Sequence, residues 1–176
     1  VSDLIYLCGF MGSGKSTIGR ILARMKKVPF YDLDEIIETN EKNEITNIFK
    51  EKGEEHFRNL EKKYLESFDT GQPAVLALGG GTVCNEINLR FVKSSGVLIF
   101  LKPTVDIISK RLSDDKSRPM LRDEHGHIRN EEELTSFITN LYNKRLIWYE
   151  QAHYIIKINK VVEPSAIASR ILSLVK

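Results

Sequence analysis

Residues 4–8, 28–31, 74–78, 97–101 and 153–158 form short, largely unbroken apolar runs. Runs of this length, dominated by aliphatic side chains, predict strands buried on both faces. Between them, apolar positions recur at helical spacing over 17–23, 35–68, a stretch through 89–92, 104–112, 131–151 and 164–175. The long segment 35–68 should break near 39–43 and at Gly53, and Pro164 suits the first turn of the last helix. Strand and helix alternate throughout, which predicts a parallel sheet covered by helices on both faces, an α/β fold in three layers. Residues 113–130 stand apart as polar, charged and aperiodic. Neither a repeat nor a dividing linker interrupts the pattern, so 1–176 is expected to be a single domain.

Composition narrows the partners. The chain has 176 residues, 41% hydrophobic and 28% charged, ordinary values for one globular core. Its 26 basic and 24 acidic residues leave a net charge of +2, which gives no reason to invoke nucleic acid or an anionic membrane. No apolar run reaches the ~20 residues of a spanning helix. The first residues lack signal-peptide character, and a cytoplasmic location is expected. Cys8 and Cys84 have no metal-ligand spacing with each other or with the four histidines. Cys8 reads as a buried, inert thiol. For Cys84, which follows three glycines, an inert thiol and one activated by a helix start both stay open. His125 and His127 flank Gly126 in the polar segment and read as solvated.

Chemistry enters with Gly9-Phe10-Met11-Gly12-Ser13-Gly14-Lys15-Ser16, which fits the phosphate-loop pattern between a strand and a helix. Glycines let the backbone wrap phosphate oxygens, with successive N–H groups and the helix's positive end pointing inward. Gly12, Ser13, Gly14, Lys15, Ser16 and Thr17 are therefore the nucleotide-binding candidates, with Lys15 reaching the β- and γ-phosphates and Ser16 ligating Mg²⁺.

Other distinctive residues fall at strand ends, where ligands gather in open parallel sheets. Asp32 and Asp34 close the second strand; one can serve magnesium and the other an acceptor hydroxyl, while helix capping accounts for only one of them. Arg58 and Glu61 share a helix face, so Glu61 either forms a surface ion pair or orients Arg58 toward an anionic acceptor. Arg145 offers a second guanidinium, and two such forks suit a carboxylate. Gly79, Gly80 and Gly81 together suggest close approach of the backbone to a ligand. Arg118, in the aperiodic segment, fits a lid that brings an arginine to the transferring phosphoryl group.

These residues, in this order, resemble the shikimate kinase family along essentially the whole chain. The likeness rests on the phosphate loop, Asp32-x-Asp34, Phe57-Arg58-x-x-Glu61, Gly79-Gly80-Gly81, Arg118-Pro119-Met120-Leu121 and Arg145-x-x-x-Tyr149. Met120 is a conservative departure from the family's usual leucine. The resemblance implies a P-loop NTPase fold of the nucleoside-monophosphate-kinase type, with a five-stranded parallel sheet and a mobile lid over 113–130. It also implies phosphorylation of the 3-hydroxyl of shikimate by ATP, a step of aromatic amino acid biosynthesis, by an enzyme expected to be a monomer. Catalysis would fall to Lys15, Asp34 and Arg118. Ser16 and Asp32 would serve Mg²⁺, and Arg111, Arg118 and Pro164 would join the phosphate loop around ATP. Asp34, Arg58, Gly79, Gly80, Gly81 and Arg145 would hold shikimate, the two arginines on its carboxylate.

Three rivals are weighed on residues. A gluconate or nucleoside monophosphate kinase would share the loop without needing two carboxylate-gripping arginines. A GTPase would want Asn-Lys-x-Asp, which Asn143-Lys144-Arg145-Leu146 fails at its fourth residue. A non-catalytic ATP-binding regulator would be expected to lack Lys15, Asp34 or Arg118.

Overall fold

The computed structural model describes residues 4–68, 71–113 and 129–175. Five strands and seven helices alternate through them: β1 (Leu4–Cys8), α1 (Lys15–Lys26), β2 (Phe30–Asp32), α2 (Leu33–Glu41), α3 (Ile45–Glu66), β3 (Ala74–Ala77), α4 (Glu86–Ser95), β4 (Val97–Pro103), α5 (Val105–Ser113), α6 (Glu131–Tyr149), β5 (Tyr154–Ile158) and α7 (Pro164–Leu174). The strands pair in the order β2-β3-β1-β4-β5, all parallel, with Ile5 opposite both Val75 and Val97. The order reverses at β1, which puts the loop after β1 at the crevice where such sheets bind ligands.

Alternation along each strand splits the core into two layers, because successive side chains leave opposite faces of a sheet. Tyr6, Cys8, Leu76, Leu98 and Phe100 point to the side covered by α2, α3, α4 and α6, packing on Ile37, Leu60, Leu89 and Ile138. Ile5, Leu7, Val75, Ile99 and Leu101 point to the other side, against Leu22 of α1 and Ile167 and Ile171 of α7. Both faces of the central strands β1, β3 and β4 are buried, and so these read as continuous apolar runs.

Helix ends follow their local chemistry. Asn130 caps α6 in a capping box: its side chain accepts from Glu133 N–H, and Glu133 accepts from Asn130 N–H. The breaks expected in 35–68 both occur. Lys42 turns left-handed (φ 51°) after α2, and Gly53 departs from helical geometry inside α3 (φ 80°, ψ 172°).

The second strand starts two residues later than its apolar run suggests. Lys27 turns left-handed after α1 (φ 57°), and the Val28 N–H returns to the Ala23 carbonyl at 3.0 Å. Val28 thus finishes a helix cap and is not available to a strand. At the other edge His153 precedes β5 but continues its ladder: its N–H donates to Leu98 O, and its Nδ1 accepts from Leu98 N–H, both at 2.9 Å.

Candidate active site

The phosphate loop runs from the end of β1 into the first turn of α1. Gly12 and Gly14 have φ of 75° and 93°, left-handed values that a side chain would strain. Gly14 caps α1 without a side chain, leaving the N-terminal amides open to the loop's interior. Ser13 is buried, and its hydroxyl has no partner among the described residues. Lys15 Nζ donates to the carbonyls of Gly9 (3.0 Å) and Phe10 (3.2 Å), so the ammonium lies over the loop it belongs to. From α5, Arg111 Nη1 reaches the Gly12 carbonyl at 2.9 Å.

The two aspartates separate at the start of α2. Asp32 is the N-cap: Oδ1 accepts from Asp34 N–H (3.1 Å), and Oδ2 accepts from the Ser16 hydroxyl (2.6 Å). Capping and service to Ser16 therefore fall to one carboxylate. Asp34, in the first turn of α2, faces a different company. Burial, then the neighbouring Asp32, push its pKa from 3.8 to about 6, with Glu61 and Glu38 adding and Lys15 opposing.

Beyond Asp34 lies a network of charge built around one buried carboxylate. Glu61, with its side chain 1% exposed, accepts from Arg58 Nη1 and from the Thr82 hydroxyl. Arg58 also donates through Nη2 to Glu54 at 2.9 Å. Across the site, Arg145 Nη1 donates to the Gly80 carbonyl (3.2 Å), as does the hydroxyl of buried Tyr149. Arg145 also lies over the Phe10 ring, 5.7 Å from its centroid.

Two glycines of the triplet are explained by these side chains. A Cβ on Gly79 would lie 2.7 Å from Glu61 Oε1 and 2.8 Å from Asp34 Oδ1; one on Gly81 would lie 2.5 Å from Arg58 Nη1. At Gly80 a Cβ would meet Arg145 Nη1 at 3.4 Å, an ordinary contact.

One cavity of about 1010 Å³ joins both halves. Gly12, Gly14, Lys15, Ser16, Thr17, Asp32, Asp34, Arg58, the three glycines, Arg111, Arg145 and Pro164 all line it. Ser13 is behind the loop. Arg118 lies outside the described residues, as do His125, His127 and all of the expected lid but Ser113, Arg129 and Asn130.

A model of the shikimate kinase family matches residues 11–176. The chain belongs to the shikimate kinase family. It is an enzyme, an ATP-using transferase of the P-loop type. A shikimate kinase of Azobacteroides pseudotrichonymphae is 38% identical over 159 residues, covering 89% of this chain and 91% of its own. One from a Sulfurihydrogenibium species is 36% identical over 172 residues, covering 98% and 97%. Among solved structures, the Acinetobacter baumannii shikimate kinase in complex with shikimate superposes with a TM-score of 0.84 at 34% identity, covering 99% of this chain and 93% of that one.

Against this family background the structure adds residues that the motifs omit. Ile45, Thr46 and Phe49, on the first half of α3, wall the cavity, and Phe49 packs on Phe57 with ring centroids 4.6 Å apart. Their spacing marks an amphipathic helix in sequence, but nothing there separates a core-facing stripe from a pocket-facing one. The activated reading of Cys84 does not hold. Helix α4 starts at Glu86 behind its N-cap Asn85, and burial pushes the Cys84 thiol up from its ordinary value. No helix among the described residues is long and apolar enough to cross a membrane.

Proposed function

We propose that this shikimate kinase transfers the γ-phosphoryl group of ATP to the 3-hydroxyl of shikimate, with the donor held by the phosphate loop and the acceptor between Asp34 and the two arginines. The observation that carries the reading is the shared cavity: the phosphate-loop residues, Asp34 and the guanidinium groups of Arg58 and Arg145 line one space. The complex of the Acinetobacter relative with shikimate supports the acceptor half.

In this reading Lys15 leaves the Gly9 and Phe10 carbonyls for the β- and γ-phosphates, where its charge is complementary to the transferring group. Asp34 accepts a hydrogen bond from the acceptor hydroxyl, orients it in line and takes its proton as the bond to phosphorus forms. Arg58, steadied by Glu61, and Arg145, steadied by Gly80, take the carboxylate of shikimate. Arg111 and Pro164 flank the nucleotide side.

Ser16 and Asp32 fit a magnesium site, since a hydroxyl and a carboxylate oxygen already meet at 2.6 Å and Mg²⁺ takes few protein ligands beside water and phosphate oxygens. Bound there, with Asp32 acting through water, it would neutralise charge on the phosphates. Because one chain supplies both halves of the cavity, the reading needs only a monomer, which sedimentation would test. ATP as donor and two free thiols, Cys8 and Cys84, support a cytoplasmic location.

Measuring ADP release with shikimate, gluconate and nucleoside monophosphates in parallel tests the assignment. Turnover with shikimate alone is expected, and preference for another acceptor would overturn it. Arg145→Lys replaces a planar fork with a point charge and should raise the shikimate KM about 10-fold or more with a smaller change in kcat. Equal shikimate binding in a titration of both proteins would move Arg145 off the carboxylate. Arg118, assigned from the family motif alone, should behave oppositely: Arg118→Ala is expected to lower kcat about 10²-fold or more and to leave shikimate affinity nearly unchanged.

A further inference from the structure

Arg58 already carries a carboxylate at the edge where an acceptor would dock. Glu54 Oε1 accepts from Arg58 Nε (3.3 Å) and Nη2 (2.9 Å), while Glu61 takes Nη1. All three guanidinium nitrogens are thus engaged by acids. The two acids differ sharply. Glu61 is 1% exposed and fixed by Thr82, whereas Glu54 is 67% exposed. Glu54 also lines the cavity itself.

We infer that Glu54 stands in for the acceptor's carboxylate on Arg58, holding the Nε–Nη2 edge until shikimate displaces it; this rests on the functional reading above. The local backbone puts it there. Gly53 interrupts α3 with φ 80°, and nothing lies within 4 Å of where its Cβ would be, so the glycine serves the turn and not a tight contact. The helix resumes at Glu54, four residues before Arg58 and on the same face.

Electrostatics then favours exchange over addition. Two carboxylates on one guanidinium leave the trio with net negative charge, which opposes a third anion. Arg145 presents no such obstacle: among the described residues it forms no ion pair, and it donates to the Gly80 carbonyl and lies over the Phe10 ring. An exposed ion pair is weak and gives way readily, and the exchange returns the Arg58 cluster to the same charge it had before binding. Glu54 is accordingly a positioning residue. It keeps Arg58 extended into the pocket between turnovers and competes with the substrate for it.

Competition has a sign that a structural role lacks. Calorimetric titration of Glu54→Gln should give a shikimate Kd about three- to fivefold lower than the parent protein, the size expected when an exposed pair no longer competes. Methyl shikimate, which has no carboxylate to exchange, should bind both proteins alike. Glu54→Ala, with no polar group to offer Arg58, should follow Glu54→Gln and guards against an effect of the amide. An unchanged or weaker shikimate Kd in both folded variants overturns the inference, as does an equal gain for the methyl ester. A parent protein that binds no shikimate overturns the functional reading together with this one, whereas normal parent binding with unaltered variants overturns this one alone.

Discussion

Asp34→Asn is expected to lower kcat by about 10²–10⁴-fold, the range for loss of a positioned acid–base group, while ATP binding is retained and the folded protein becomes more stable. The two effects share a cause. Asp34 is partly buried beside Asp32, with Glu61 and Glu38 nearby, and its carboxyl is held at about 6 against an ordinary 3.8. A raised carboxyl means that the folded state binds more protons than the unfolded chain between those two values. Stability from this group is therefore present at low pH and is lost as pH climbs through about 4 to 6. At pH 7 the ionised side chain costs on the order of 3 kcal/mol. An isosteric amide removes that charge, and Tm should rise by roughly 6–12 °C. A variant with near-parent turnover, or one that melts lower at pH 7, would break the assignment.

The same residue sets the acid limb of activity. Protonated Asp34 cannot accept the acceptor's hydroxyl proton, so kcat/KM should fall below a midpoint near pH 6 in the parent enzyme. The residual activity of Asp34→Asn should lack that limb. Stability and activity should then move in opposite directions with pH across this window.

Much of the fold was legible because the three central strands, β1, β3 and β4, are buried on both sides, which turns each into an apolar run with no competing periodicity. Where the reading slipped, backbone hydrogen bonds decided the outcome. Val28 is as apolar as its neighbours, and only the capping bond to Ala23 keeps it out of β2. Cys84 shows the same limit: its place after a glycine run looks like a helix start, yet Asn85 is the cap, and burial governs the thiol. In the site, the phosphate loop, the aspartate pair and Arg58 with Glu61 could be found from spacing, since each is local in sequence. Thr82, Phe49 and the hold of Glu54 on Arg58 depend on the path of α3 past the glycine turn. No local pattern encodes which face of that helix meets the pocket.

Gly79→Ala follows from that meeting and should damage the site severely. Gly79 is not among the residues with positive φ, so the objection to a side chain is steric. Its Cβ would fall 2.7 Å from Glu61 Oε1, 2.8 Å from Asp34 Oδ1 and 2.9 Å from Thr82 Oγ1, inside any tolerable contact. Glu61 cannot retreat, because it is buried and held by Arg58 and Thr82; Asp34 must turn or β3 must shift. Either response moves the hydroxyl-binding carboxylate relative to the phosphate loop, and displacements near 1 Å can cost about 10²-fold in rate. A loss of kcat/KM of at least that size is expected, with ATP affinity little changed because the loop is built on β1, and with about 1–3 kcal/mol lost to overpacking. Parent-like kinetics in Gly79→Ala would mean that the Asp34–Glu61 side of the pocket yields freely, and the close-approach account of the glycine triplet would fall with it.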